Sequence, residues 1–204
     1  MNPPFGGKEG REAQTHFAYK TRATQVLFLQ HVIDALKQGG RCGMVIDEGV
    51  LFRTTESAFV QTKRKLLDET DLSCIVSLPP GVFSSAGAGV KTNLLFFTKG
   101  GPTERVWYFD LSDVKVTKKQ PLTVDRFDEL FALAGSRADS PRSWTVSREE
   151  LEARGYDLKA VNPTAKAAGD TRTPLELLDE IEGRGREVDA AVARLRVLLG
   201  NDGR

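Results

Sequence analysis

Apolar residues in the first half of the chain fall into helical spacings and short continuous runs. After a polar, loop-like stretch over residues 1–22, apolar side chains at steps of three and four predict a helix that Gly39-Gly40 ends. Residues 57–69 predict a second helix. Short apolar runs of strand length lie at residues 42–46, 72–78, 92–98 and 105–111. Strand, helix, strand, with runs apolar on both faces, predicts an α/β layer of parallel strands.

The second half of the chain is more polar and ends in a long predicted helix. Residues 125–133 predict a short helix, and the polar, proline-containing residues 135–146 predict a linker. Thr173, Pro174 and Glu176 then combine a capping side chain, a proline at the first helical position and an acid three residues after the cap. That combination predicts that the last helix begins here.

Apolar residues in this last helix follow a heptad pattern. They fall at alternating steps of three and four, and only Gly185 interrupts the series. The apolar positions are Leu178, Ile181, Val188, Val192, Leu195 and Leu199. The pattern predicts a seam over ~26 residues, roughly 39 Å of helix. Such a helix either packs on its own domain or forms a coiled coil with a partner, and its length, terminal position and charged flanks favour the partner.

Composition narrows the class of protein without deciding its function. With 204 residues, 40% hydrophobic and 28% charged, the chain suits one globular domain with an appendage. No run approaches the ~20 apolar residues of a membrane span, and no secretory signal is recognised, which predicts a cytoplasmic protein. Cys42 and Cys74 lack metal-type spacing and are expected to be reduced thiols, so no metal site is predicted. A net charge of +1 neither indicates nor excludes binding to nucleic acid.

The residues Asn2-Pro3-Pro4-Phe5 suit one particular chemistry. An exocyclic amine of a nucleobase is a poor nucleophile because its lone pair is delocalised into the ring. A site that accepts hydrogen bonds from both N–H groups favours a pyramidal nitrogen, and the Asn2 amide oxygen and the Pro3 carbonyl are suitable acceptors. Two consecutive prolines stiffen the turn, and the Phe5 ring can stack on an extruded base. Alone, however, the four residues also suit an ordinary proline turn.

The surrounding sequence resembles a known family. Asn-Pro-Pro-Phe followed by Gly-Gly-Lys-Glu at residues 6–9 is similar to the catalytic loop of N6-adenine DNA methyltransferases, specifically the methylation subunit of type I restriction–modification systems. The blocks Ile-Val-Ser-Leu-Pro-Pro-Gly-Val-Phe at residues 75–83 and Val-Lys-Thr-Asn-Leu-Leu-Phe-Phe-Thr-Lys at residues 90–99 follow in the family's order. Weaker matches are Tyr156-Asp157-Leu158 and Asn162-Pro163. The resemblance covers nearly all of residues 1–100.

The resemblance implies roles for individual residues. The catalytic residues would be Asn2, Pro3, Pro4 and Phe5, with Asn2 and Pro3 binding the target amine. Phe5 would stack on one face of the flipped adenine and Phe83 on the other, although Phe83 also suits a core position. Lys8 and Lys91 are candidates for DNA phosphates, with a solvated lysine as the alternative. Residues 84–89 predict a flexible loop that admits the base. Asp47-Glu48 predict a solvated turn, and His16 a surface histidine, neither with a role.

The cofactor implied by the resemblance is S-adenosyl-L-methionine, and its main binding loop is not recognised in the chain. In the family a glycine-rich loop and an acidic residue precede Asn-Pro-Pro-Phe, where this sequence has only Met1. The later Gly-x-Gly motifs at 87–89 and 183–185 do not join a strand to a helix. Asn2 and Pro3 would therefore make only partial cofactor contact. We expect Met1 to be an internal methionine of a longer frame, with the first four strands of a seven-stranded sheet missing.

The expected fold class is α/β, the last strands of a Rossmann-like class I S-adenosylmethionine-dependent methyltransferase sheet followed by a mostly helical tail. The expected domains are a partial catalytic domain over 1–112, an extension and linker over 113–172, and a helix over 173–204 that contacts a specificity subunit. Other implied partners are duplex DNA and a restriction subunit. The strand at 42–46 would have an open edge, which predicts self-association.

The predicted function is methylation of adenine N6 in DNA, with this chain inactive alone. One alternative is a non-catalytic assembly module that docks on a specificity subunit. Another is an RNA or protein-glutamine methyltransferase that shares the Asn-Pro-Pro turn.

Overall fold

A five-stranded mixed sheet organises the first part of the computed structural model, which describes residues 1–83, 90–117, 119–164 and 173–201. The strands are β1 (Arg41–Asp47), β2 (Thr70–Ser77), β3 (Thr92–Lys99), β4 (Arg105–Asp110) and β5 (Ser143–Ser147). Their order is β1-β3-β2-β4-β5. The chain divides into two units, Met1–Thr164 and Ala165–Arg204, and the whole sheet belongs to the first.

The α/β class is confirmed, whereas the prediction that the strands are all parallel is wrong. Of the four pairs among the described strands, β2 with β4 is parallel and the other three are antiparallel. The reason is the position of β3, which lies antiparallel between β1 and β2. Those two strands therefore run in the same direction, as a helical connection between them requires, without being neighbours. The apolar runs predicted the strands correctly because they are buried, and burial does not reveal strand direction.

The helices of this unit lie between and after the strands. They are α1 (Arg11–Gln14), α2 (Thr24–Ala35), α3 (Glu48–Phe52), α4 (Ser57–Glu69), α5 (Asp128–Leu133) and α6 (Arg148–Ala153), with a 3-10 helix at Val124–Phe127. The predicted helices after residue 22, at 57–69 and at 125–133 are confirmed. Residues 1–22 are mostly irregular, as expected, apart from the single turn of α1.

The main core joins one face of the sheet to α2 and α4. Alternation along β1 buries Met44 and Ile46 on this face, where they meet buried side chains of the helices such as Leu29 and Leu66. Tyr108 on β4 stacks on Trp144 of β5, with ring centroids 5.4 Å apart and planes 6° apart. Each aliphatic side chain buried in this way contributes about 1.5–3 kcal/mol to the stability of the fold.

The opposite face of the sheet is covered towards β4 by residues that follow that strand. Trp107 and Phe109 on β4 pack there with Leu111 and Leu130. Cys74 lies against this second cluster, and burial raises the pKa of its thiol to about 12. Both cysteines are free, which confirms the predicted thiols.

The linker predicted over residues 135–146 is wrong at its end. Residues 143–147 form β5, which pairs antiparallel with β4 and buries Trp144 and Val146. The two apolar residues are separated by a threonine and surrounded by polar residues. So short an alternation does not stand out from a polar linker.

β1 lies at one edge of the sheet, where Met1 rather than a further described strand bonds to its outer side. The Met1 amino group donates to the Gly43 carbonyl at 2.6 Å, and the Val45 amide donates to the Met1 carbonyl at 2.9 Å. This is the pattern of one bridge in a parallel ladder. The open edge agrees with the expectation on which the self-association prediction depends, and the self-association itself stays a prediction.

The second unit contains α7 (Pro174–Asn201), which continues through Gly185. Its start is the predicted capping box. The Glu176 amide donates to Thr173 Oγ1 at 3.3 Å, and the Thr173 amide donates to Glu176 Oε2 at 2.6 Å. In the part of the chain that the structure describes, neither α7 nor any other helix is both long and apolar enough to cross a membrane.

Candidate functional site

The Asn2–Phe5 loop begins directly after the pairing of Met1 with β1, so the edge of the sheet positions it. Pro3 is buried, whereas Asn2 is exposed. Within the described residues, neither the Asn2 side chain nor the Pro3 carbonyl has a hydrogen-bond partner. Among these residues, both groups that the sequence indicates as acceptors are therefore without a donor.

The chain that follows this loop is fixed to the start of α2. The Thr24 amide donates to the Gly7 carbonyl at 3.1 Å, and the Glu9 amide donates to the Arg22 carbonyl at 2.8 Å. Gly7 approaches Thr24 so closely that a Cβ atom there would lie 2.4 Å from Thr24 Oγ1. Gly6 has a φ of 69°, a left-handed conformation that favours glycine. The two glycines thus allow the turn that brings the loop back onto α2.

Gln25 connects the loop to the carboxyl end of β1. It is buried in the first turn of α2, its Nε2 donates to the Pro4 carbonyl at 3.4 Å, and its Oε1 accepts from the Asp47 amide at 2.8 Å. The sequence pattern did not predict a role for Gln25. The available signal was that Gln25 precedes Leu29 by four residues and so places a polar side chain on the apolar face of the helix.

Phe5 and Phe83 lie in direct contact. Their ring centroids are 5.2 Å apart and their planes are inclined by 59°. Phe83 follows the end of β2 through Pro79-Pro80 and Gly81, whose φ is 87°. A flat base between two parallel rings needs a separation of about 7 Å, twice the ~3.5 Å contact distance between carbon atoms. The structure therefore brings the two predicted aromatic residues together with no space for a base between them.

Lys91 and Lys8 differ in their surroundings. Lys91 Nζ lies 3.0 Å from Glu48 Oε1, and Lys159 Nζ lies 3.8 Å from Glu48 Oε2. Glu48 is mostly buried, so much of the charge of Lys91 is neutralised inside the protein. Lys8 is exposed and has no ion pair among the described residues, although its backbone forms a bridge with Ala23. Lys8 is thus the freer of the two cations.

The prediction that Asp47-Glu48 form a solvated turn is wrong. Asp47 caps α3 by accepting from the Gly49 amide, and Glu48 is the first residue of that helix. The Glu48 amide also donates to the Lys91 carbonyl at 2.9 Å. These contacts join the end of β1 to the start of β3, close to the segment that carries Phe83. A five-residue helix is too short for sequence periodicity to reveal.

A cavity of about 100 Å³ lies on the Gly6-Gly7 side of the loop. Asp47, Gly49 and Arg53 are among its lining residues, and the Arg53 guanidinium lies 5.1 Å above the Phe59 ring. His16 is exposed. Across the described ranges no group of acidic, histidine or cysteine side chains could hold a metal ion.

The described residues do not form the cofactor loop that the family would use. No glycine-rich turn among them joins a strand to a helix, and Gly183 and Gly185 lie inside α7. The motif at residues 87–89 and the predicted base-admitting loop over 84–89 lie outside the described residues. Asn2 and Pro3 remain the positions at which partial contact with S-adenosylmethionine is predicted.

A family model described as N-6 DNA methylase matches residues 1–171. The methylase subunit of the type I restriction enzyme EcoEI from Escherichia coli is 35% identical over 214 residues, which cover 98% of this chain and 42% of that protein.

Solved structures from type I restriction–modification systems also match this chain. A chain from a study of complex assembly and conformational transition of the type I restriction–modification system is 39% identical, with a TM-score of 0.75, and the match covers 100% of this chain and 45% of that chain. For the M protein of the type I restriction enzyme EcoKI the identity is 26%, the TM-score 0.68 and the coverage 100% and 49%. This chain therefore spans less than half the length of these relatives. Its α/β sheet is part of a class I S-adenosylmethionine-dependent methyltransferase fold.

Proposed function

The chain belongs to the N-6 DNA methylase family, and from that premise we propose that it carries the catalytic loop of a type I methyltransferase acting on adenine N6 in DNA. The observation that supports this most directly is that two acceptors, the Asn2 amide oxygen and the Pro3 carbonyl, have no donor among the described residues. Accepting one hydrogen bond each from the two N–H groups of adenine N6, they would hold the amine with its lone pair directed at the methyl donor.

Phe5 and Phe83 would bind the two faces of the flipped base. The 5.2 Å contact between their rings keeps the pocket closed without a base. Opening it to about 7 Å costs one aromatic contact, on the order of 1 kcal/mol, which stacking on the base can replace. Phe83 lies between β2 and β3, so the movement would be on that side, while Gln25 holds the Asn2–Phe5 loop in place.

S-adenosylmethionine would supply the methyl group in the assembled enzyme. The described residues lack a glycine-rich turn for it, and we expect these 204 residues to be inactive by themselves. Lys8, exposed and without an ion pair among the described side chains, is better placed than Lys91 to meet a DNA phosphate.

The remaining partners follow from the family. A specificity subunit would choose the DNA sequence and would contact α7, a restriction subunit would complete the system, and the enzyme would act on DNA in the bacterial cytoplasm. The edge of β1, which pairs with Met1 and with no further described strand, is the site at which self-association of the isolated chain is expected.

The deciding experiment supplies the cofactor-binding half of a type I methylation subunit and a specificity subunit in trans. Transfer of a radiolabelled methyl group to duplex DNA is expected with the unchanged chain. Asn2→Ala is expected to lower the rate by at least about a hundredfold, because one of the two acceptors at the reacting nitrogen is lost. His16→Ala is the matched control, since His16 is exposed and has no proposed role in the reaction.

Two results would contradict this assignment. Equal rates for Asn2→Ala and the unchanged chain would favour the alternative, an assembly module without catalytic function. Methylation of RNA or of a protein glutamine, with none of duplex DNA, would assign the Asn-Pro-Pro turn to a different substrate.

A further inference from the structure

The apolar stripe of α7 contains one vacant position. The stripe consists of Leu178, Ile181, Val188, Val192 and Leu195, whose side chains are 41–66% exposed. Between Ile181 and Val188 the helix advances by about 10.5 Å, or two turns. Gly185 stands at the intervening seam position, four residues after Ile181 and three before Val188. The stripe therefore lacks a side chain at Gly185, near its middle, and we call this gap the hole. The seam positions on either side of it carry the branched side chains of Ile181 and Val188.

Nothing in the unit that contains α7 requires a glycine at this position. A Cβ atom placed on Gly185 would meet no other atom within 4 Å, and the residue continues the helix without a positive φ. Glycine is a poor helix former, and inside an exposed helix it weakens the element. Neither backbone conformation nor packing within the described residues offsets that weakness. A close approach by another molecule would offset it.

The charges beside the hole indicate what kind of molecule approaches. Residues 174–189 carry six acidic and two basic side chains, whereas residues 190–201 carry two arginines and no acid. Glu182 and Asp189 lie on one flank of the seam next to Gly185 and Arg184 on the other, at the positions where coiled coils place charges that select partners. Glu182 Oε2 also lies 4.0 Å from Arg186 Nη1 of the same helix, which is a weak contact between exposed groups. A second copy aligned in parallel would bring the two acidic segments together and would place glycine opposite glycine.

We propose that the hole at Gly185 receives a bulky apolar side chain from a helix of a different protein, and that this helix carries basic residues beside Glu182 and Asp189. The proposal rests on the assignment of α7 to a specificity subunit and adds the chemistry by which that subunit is recognised. Gly185 is the point that fixes the register of the two helices, because a bulky side chain fits at only one level of the stripe. The acidic segment selects a basic partner and disfavours a parallel second copy.

The test compares two glycines of the same helix. Gly183 lies two residues before Gly185, on the opposite side of α7, and a Cβ atom there also meets nothing within 4 Å. Gly183→Leu and Gly185→Leu are introduced into the full chain, and circular dichroism verifies that both raise the helix content. Binding to the purified specificity subunit is then measured by calorimetry, and self-association by sedimentation.

Gly185→Leu is expected to weaken binding by about tenfold to a hundredfold because it fills the hole, whereas Gly183→Leu is expected to change it by less than about threefold. Gly185→Leu is also expected to increase self-association, since it completes the stripe. Equal binding by both variants and the unchanged chain would overturn the inference and leave the proposed function intact. No binding by the unchanged chain would overturn the partner assignment and the inference with it. A wild-type dimer that Gly183→Leu leaves intact and Gly185→Leu abolishes would show that a second copy fills the hole.

Discussion

The two units of this chain use the same apolar residue types in opposite ways. In Met1–Thr164 leucines such as Leu66 and Leu95 are fully buried, whereas in α7 Leu178 and Leu195 are 56% and 57% exposed. The sheet offers two faces on which helices and loops can pack, and each buried leucine stabilises the unit by about 1.5–3 kcal/mol. A single helix has no such faces. Its 28 residues exceed the ~12–15 needed for marginal helicity in water, but its stripe stays in solvent.

The first unit contains the loop that we propose for the chemistry, and the second contains the helix that we propose for assembly. The proposed catalytic loop would need acceptors in fixed positions, and the first unit bonds this loop to β1 and α2. A docking helix needs an unfilled apolar surface, which a folded core cannot offer. The contrast predicts that stability and partner binding can be changed independently, by substitutions in one unit or the other.

The largest effect is expected from a buried leucine of the first unit. Leu66→Ala removes a side chain with no exposure and is expected to lower the free energy of unfolding of residues 1–164 by about 3 kcal/mol, through lost burial and the cavity left behind. Urea unfolding followed by tryptophan fluorescence measures this, because both tryptophans, Trp107 and Trp144, are buried in the first unit.

Leu195→Ala is the matched control, since it removes the same atoms from a side chain that is 57% exposed. Its effect on the tryptophan transition is expected to stay below about 0.5 kcal/mol. A loss comparable to that of Leu66→Ala would show that α7 contributes to the core of the first unit, and the contrast between the two units would be wrong.

Most of the fold could be predicted because burial leaves a clear pattern in the sequence. α4 was predicted at its observed bounds, and the strands at 42–46 and 92–98 within a residue or two at each end. The antiparallel insertion of β3 could not be derived, since an apolar run has the same pattern in either strand direction. β5 was missed because its two inward residues lie in a polar context.

The candidate site was predicted only where one short motif contains it. Asn2, Pro3 and Phe5 are adjacent in sequence, and Phe83 was placed beside Phe5 by the family resemblance. The contacts of Gln25 and Glu48 were not predicted because they join residues that are distant in sequence. Gln25 bonds to the carbonyl of Pro4, 21 residues earlier, and to the amide of Asp47, 22 residues later. Such contacts depend on how elements pack.

Raising the pH from about 8 to about 10 is expected to change the stability of the first unit and to leave the helicity of α7 unchanged. Lys63 is fully buried in α4, where its Nζ donates to the Leu51 carbonyl at 2.7 Å and the Arg53 carbonyl at 2.8 Å. Burial lowers its pKa to about 8, although Asp157 opposes the shift. Between pH 8 and the ordinary value of 10.5 the unfolded state holds more protons than the folded state. The contribution of Lys63 to the free energy of unfolding therefore rises with pH over this window.

From pH 8 to pH 10 the gain is at most about 3 kcal/mol, at ~1.4 kcal/mol per unit. The measurement is the difference in unfolding free energy between the unchanged chain and Lys63→Met at each pH, which cancels the titration of other groups. The helicity of α7 is expected to stay constant, since residues 174–201 contain no lysine, cysteine or tyrosine. A difference that does not change with pH would mean that Lys63 keeps its ordinary pKa.

The smallest effect is expected at the two capping boxes, one in each unit. Thr173 caps α7, and Ser147 caps α6 by accepting from the Glu150 amide at 3.2 Å. Replacing either with alanine is expected to cost about 1 kcal/mol, because amides at the helix start lose their acceptor. Ser147→Ala should shift the tryptophan transition, and Thr173→Ala should lower only the far-ultraviolet circular dichroism at a fixed temperature. If Thr173→Ala shifted the tryptophan transition as much as Ser147→Ala does, α7 and the sheet would unfold as one cooperative body, and the independence of the two units would be lost.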